Sequence, residues 1–215
     1  YMATGMAEDQ AWSRGLKVAY SNLAGETFEA ASNYNLLVIP MFVLMGNLAS
    51  VSGMSKDLFT AAYRWMGHLR GGLASATIAA CAGFAALSGS SLASAVTMGR
   101  VALPEMKKYK YADSLATGSV AAGGTLGFLI PPSGGMIIYA VLTEQSIGRL
   151  FMAGVFPGII LTLLFIGAIY CVVLKNPSAG PRAKRFVRSE RITSLWRALP
   201  IVGVVLITIG GMYTG

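Results

Sequence analysis

The 215-residue chain is 54% hydrophobic and only 12% charged, with a mean hydropathy of +0.61, whereas a soluble domain carries about 25% charged residues. Its net charge of +8 does not point to nucleic acid, because Lys and Arg sit in short segments between apolar blocks, the positive-inside pattern that orients membrane proteins. Stretches free of Asp, Glu, Lys and Arg cover 30–55, 71–99, 114–143, 150–174 and 198–215, each near or above the roughly 18–20 residues that cross a bilayer as a helix.

The pattern predicts an all-α polytopic membrane protein. Residues 1–33 are mixed in character and are expected to form a short surface helix and a loop outside the bilayer. Residues 34–54 form the first span, with Pro40 in its opening turns, where neighbouring helices can shield a kink. Over 55–70, apolar residues recur at helical spacing among Lys56, Arg64, His68 and Arg70. That is the pattern of an amphipathic helix lying in the interface, and a plain loop helix reads equally well.

Residues 71–99 are long enough for one span, yet their centre is Leu87-Ser88-Gly89-Ser90-Ser91-Leu92 and both flanks are basic. A re-entrant hairpin with its tip at Ser88–Ser91 keeps both flanks on one side and is preferred to a single crossing. In 114–141, Gly123, Gly124, Gly127, Pro131, Pro132, Gly134 and Gly135 crowd the middle. The prolines lack donors and the glycines tolerate non-helical dihedrals, which predicts two half-helices joined by an extended piece. A plain span follows at 150–174, then a basic cytoplasmic loop at 175–197, then a last span at 198–215. The chain opens on Tyr1 and closes within an apolar run, and is expected to be an interior piece of a longer protein.

Broken helices at membrane depth leave backbone groups that protein, water or an ion must satisfy. Transporters use such breaks to coordinate cations and to face anionic substrates. Ser88, Ser90 and Ser91 add hydroxyl oxygens, and Ser133 is placed to cap a half-helix starting near Gly134. Oxygen-only donors suit Na⁺ better than a transition metal. Helix packing is the competing reading for the Ser/Gly segment, and a simple kink for 127–133. No ionisable residue lies in the broken region, which disfavours a proton relay. Cys81 and Cys171 lie in apolar runs and suggest neither disulfide nor metal. There is no Ser/His/Asp set, zinc motif or phosphate loop, so an enzyme is not expected.

Three stretches, Ile39-Pro40-Met41-Phe42-Val43-Leu44-Met45-Gly46, Leu87-Ser88-Gly89-Ser90-Ser91-Leu92-Ala93 and Gly127-Phe128-Leu129-Ile130-Pro131-Pro132-Ser133, resemble the large membrane subunit of tripartite ATP-independent periplasmic (TRAP) transporters, DctM type. Leu150-Phe151-Met152-Ala153-Gly154-Val155-Phe156-Pro157-Gly158 fits the same pattern, and the likeness runs in order over about 34–215. The resemblance implies a multi-pass protein of the bacterial inner membrane that imports organic acids, C4-dicarboxylates or sialic-acid-like carboxylates, on a Na⁺ gradient. It further implies a small membrane subunit and a periplasmic substrate-binding protein as partners, and no organic cofactor. The implied fold is the first inverted repeat of an elevator-type transporter, with a re-entrant helical hairpin and a broken transmembrane helix. By the same analogy Ser88, Gly89, Ser90, Gly127 and Pro131 are candidate Na⁺ ligands, and Ser91, Thr125, Pro132 and Ser133 line the substrate cavity. A binding-protein-independent dicarboxylate or ion symporter of related architecture is the alternative, ahead of a membrane enzyme or scaffold.

Overall fold

A computed structural model describes the backbone of residues 2–32 and 34–214, and the side chains of 12–28, 40–41, 43–207 and 210–211. Residues 1–40 and 41–215 are separate compact units. In the first, α1 (Met2–Ser32) is one continuous helix, longer than the short helix and loop expected there. It contains no proline and only two described glycine interruptions after the first turn, Gly15 and Gly25, so nothing in the sequence stops it. The helix α2 (Tyr34–Val51) follows, with Pro40 inside it.

From Met41 onward all described regular structure is helical. Gly53, at φ +82°, makes the turn into α3 (Met54–Met66), a backbone conformation glycine adopts without a Cβ penalty. Gly71, at φ +68°, does the same before α4 (Gly72–Ser88). Next come α5 (Ser91–Lys108), α6 (Asp113–Leu129), α7 (Gly134–Leu142), α8 (Ile147–Lys175) and α9 (Arg188–Thr214). Two boundaries differ from the sequence expectation. The second helix of the hairpin continues past Gly99 to Lys108, where Lys107 and Lys108 complement its negative C-terminal end. The basic loop shortens to 176–187, because 188–197 already winds into α9 with Glu190 in its first turn. The expected last span ends at Gly215, outside the described residues.

The core is built around α4. Every residue of α4 except Ala79, Ala82 and Gly83 is buried, as expected of a helix that is apolar all round. Phe59 of α3, Met98 and Met106 of α5, Leu126 of α6, Val173 of α8 and Ile201 of α9 join it in one cluster. In lipid, apolar transfer gives little drive for helices to associate, so the close packing allowed by α4's alanines holds this centre together. By contrast α8 exposes Phe156, Ile159, Leu163 and Leu164, a surface suited to acyl chains. Among the described residues, 113–142 and Ile147–Lys175 are the segments long and apolar enough to cross a membrane by length and composition.

The basic loop and α3 are tied together. The Tyr63 and Tyr109 hydroxyls lie 2.7 Å apart, Phe186 packs edge-on against Tyr63, and the Arg64 guanidinium donates to the Glu190 carbonyl at 2.9 Å.

Candidate functional site

The hairpin turns at two residues. Gly89 ends α4 in the left-handed region at φ +57°, with its N–H donated to the Ala85 carbonyl at 3.0 Å. Ser90 is extended and caps α5, its Oγ accepting the Ala93 N–H at 3.3 Å. Glycine as a C-cap followed at once by serine as an N-cap is the local chemistry that reverses a helix within two residues.

The second interruption has an equally local cause. Ile130 precedes Pro131 and is extended, with ψ 123°, as a proline imposes on its predecessor. Neither Pro131 nor Pro132 has an N–H to continue the ladder. The chain is non-helical over 130–133 and resumes as α7 at Gly134.

These two interruptions meet in space. The Gly134 N–H donates to the Gly89 carbonyl at 3.1 Å, so the first amide of α7 binds the tip of the hairpin. A Cβ on Gly89 would lie 2.8 Å from the Pro132 carbonyl oxygen, and one on Gly127 would lie 2.7 Å from the Ser90 carbonyl oxygen. The first quoted motif arrives at the same place: a Cβ on Gly46 would lie 3.0 Å from the Ser88 Cα. At Gly89 and Gly127 backbone meets backbone so closely that a Cβ would force a shift, and at Gly46 the fit is tight. Thus Ser88, Gly89, Ser90, Gly127, Pro132 and Gly134, far apart in sequence, form one cluster, with Pro131 and Ser133 buried beside them.

Its polar groups are oxygens. The hydroxyls of Ser88 and the fully buried Ser94 are 2.8 Å apart. The Ser90 carbonyl accepts the Ser94 N–H at 3.0 Å. Among the described residues, the carbonyls of Pro131 and Pro132 accept no hydrogen bond, although both prolines are buried. Carbonyl oxygens that no protein donor occupies are suited to a hard cation. Among the described residues no group of three His, Cys, Asp or Glu could hold a metal ion.

Two sequence expectations change. Ser133 occupies the N-cap position of α7 but its hydroxyl makes no cap; it donates instead to the Phe128 carbonyl at 2.7 Å. The reason is proximity: the break is so short that Ser133 reaches the carbonyls left open at the end of α6. Gly123, Gly124 and Gly127 are not part of the extended piece. They lie within α6 and form the face that approaches the hairpin, where Cβ atoms would meet Cys81 Sγ at 2.7 Å, Ala95 Cβ at 2.6 Å and the Ser90 carbonyl. Packing and site geometry are therefore not alternatives at this face.

Thr125 is exposed and its hydroxyl returns to the Ala122 carbonyl of its own helix at 2.7 Å, whereas Ser91 is half-buried at the start of α5. Ser94 and Gly46 were not singled out from the sequence. Ser94 stands one turn after the capping Ser90, and that spacing was the available signal; Gly46 ended a motif whose partner is visible only in three dimensions.

The family model for the tripartite ATP-independent periplasmic transporter, DctM component, matches residues 12–215. The chain is 42% identical over 197 residues to the C4-dicarboxylate TRAP transporter large permease protein DctM of Pseudomonas aeruginosa, covering 90% of this chain and 45% of that protein. It is 37% identical over 181 residues to the ectoine TRAP transporter large permease protein TeaC of Halomonas elongata, covering 84% and 42%. With the sialic acid TRAP transporter large permease protein SiaM of Vibrio cholerae it shares 34% over 204 residues, covering 94% and 46%. The chain thus spans less than half the length of these relatives. With the matched region enclosing the hairpin tip, the break and the glycine approaches between them, the chain belongs to the DctM component family of tripartite ATP-independent periplasmic transporters, which are membrane transport permeases and not enzymes.

Proposed function

We propose that this chain supplies one half of the transport site of a Na⁺-coupled permease that imports small carboxylate-bearing solutes. The observation that carries the proposal is the contact between hairpin tip and helix break, with its unpartnered Pro131 and Pro132 carbonyls and neighbouring serine hydroxyls. Such a cluster fits Na⁺, which binds hard oxygen donors, and it offers no carboxylate to carry a proton. Ser88, Gly89, Ser90, Gly127 and Pro131 are the proposed surroundings of the ion, with Gly127 contributing close approach and not a side-chain ligand. Ser91, Thr125, Pro132 and Ser133 are the proposed cavity side, where the N-terminal end of α7 would favour an anionic group.

In this reading α4–α5 is a re-entrant hairpin, α6–α7 a broken crossing helix, and together they are the first of two inverted repeats of an elevator-type transporter in the bacterial inner membrane. A periplasmic binding protein delivers the solute and a small membrane subunit completes the permease. Relatives named for C4-dicarboxylates, sialic acid and ectoine support a carboxylate-bearing solute. The family match gives no support to a binding-protein-independent symporter.

The test is solute uptake into proteoliposomes holding the full-length permease and its small subunit, with the binding protein supplied outside. Uptake is expected only with an inward Na⁺ gradient and the binding protein. Equal uptake with K⁺ replacing Na⁺ would overturn the coupling, and uptake without the binding protein would return the alternative symporter reading.

A further inference from the structure

A groove of about 640 Å³ opens between the turn that joins α3 to α4, the outer side of α8 and the basic loop. Arg70 and Arg182 both line it, and no acidic residue does. The backbone holds these two arginines together. The Gly71 N–H donates to the Gly180 carbonyl and the Ala183 N–H to the Gly67 carbonyl, each at 2.9 Å, so each arginine lies within one of two paired segments. Both arginines are exposed, and among the described residues neither takes part in an ion pair.

The rest of the groove is apolar and directional. Leu163, Ile166, Tyr170 and Leu174 recur at three- and four-residue spacing and form one stripe along α8. That stripe is about 16 Å long at 1.5 Å per residue. The arginine end is its C-terminal end, because Cβ atoms on Gly71 and Gly180 would lie 2.9 and 2.8 Å from Val173 Cγ2. Gly167 keeps the floor open: a Cβ there meets nothing within 4 Å.

We propose that this groove binds an anionic phospholipid of the leaflet facing the basic loop, with its phosphate at Arg70 and Arg182 and an acyl chain along the α8 stripe. Paired cationic side chains at the end of an apolar channel match a molecule with one charged end and a long apolar body. A free anion would leave the stripe unused, and a zwitterionic lipid would leave the arginine charge unbalanced. The inference is independent of Na⁺ coupling and of the transported solute.

The experiment measures lipid binding to the purified full-length permease with its small subunit by native mass spectrometry, comparing dioleoyl-phosphatidylglycerol with dioleoyl-phosphatidylcholine. Phosphatidylglycerol is expected to bind preferentially. The double variant Arg70→Gln/Arg182→Gln should weaken it by about thirtyfold while phosphatidylcholine binding stays unchanged. Gly167→Leu, which fills open space without a clash, should weaken binding of both. Unaltered phosphatidylglycerol binding in both variants overturns the proposal. Displacement of the lipid by millimolar inorganic phosphate makes this a free-anion site, and cross-linking of Gly167→Cys to the small subunit makes it a protein interface; either result also overturns it.

Discussion

Substituting Gly127 by alanine tests the contact between tip and break most directly. An alanine Cβ at 127 falls 2.7 Å from the Ser90 carbonyl oxygen, 2.8 Å from the Ser90 carbonyl carbon and 2.9 Å from the Ser91 nitrogen. All three are backbone atoms of the turn that starts α5, so no change of rotamer relieves the overlap and either α6 or the tip must move. Overpacking of this kind costs about 1–3 kcal/mol, against a helix-propensity gain of up to about 1 kcal/mol for Gly→Ala. Gly118, on the same helix, has nothing within 4 Å of its Cβ position, so Gly118→Ala experiences only the gain. The two variants should therefore differ in stability by about 1–3 kcal/mol, Gly127→Ala being the weaker. Thermal unfolding of the full-length permease in detergent measures the difference, and uptake at graded Na⁺ measures its consequence. Gly127→Ala is expected to melt lower and to need more Na⁺ for half-maximal uptake. Equal melting temperatures and equal Na⁺ dependence in the two variants would refute the backbone contact as a determinant of the site.

Gly89→Ala should be worse than Gly127→Ala, because it adds about 1–2 kcal/mol of left-handed strain to a Cβ placed 2.8 Å from the Pro132 carbonyl oxygen. Gly89→Asn tolerates the dihedral better and should still melt low, since the collision remains; full recovery would assign the effect to strain alone. Ser88→Ala removes the partner of the buried Ser94 hydroxyl and should cost about 1 kcal/mol, with a weaker Na⁺ dependence of uptake that a purely structural role would not produce. Burial, and next the hydrogen bond with Tyr109, hold the Tyr63 pKa above its ordinary value of about 10. Its contribution to stability is complete below about pH 10 and declines as pH rises toward the folded-state value. The alkaline fall in melting temperature should therefore be shallower in Tyr63→Phe, and an unchanged profile would remove Tyr63 as its source. With the exposed Cys171 replaced, single cysteines at the exposed Arg70 and Lys107 positions should react with a membrane-impermeant reagent from the same side. Labelling from opposite sides excludes the re-entrant hairpin.

The sequence by itself determined where the helices fail. A glycine that ends one helix and a serine that caps the next are local chemistry, as are two prolines that offer no N–H and force Ile130 extended. These features made the hairpin tip legible at 88–91 and the break within 127–133, which the structure narrows to 130–133. Charge-free length likewise made the apolar segments legible, because bilayer thickness sets their scale.

Other features depended on packing. Gly123, Gly124 and Gly127 read as breakers beside Pro131, and only the approach of α4 and α5 shows them as a contact face within a continuous helix. Ser133 read as a cap until the short break placed its hydroxyl on Phe128. Gly46, Ser88 and Pro132 share no local pattern that announces their meeting. Local rules determine where a chain must stop being helical. Which interruption faces which is set by the fit of whole helix surfaces, and that fit places the Gly134 amide on the Gly89 carbonyl.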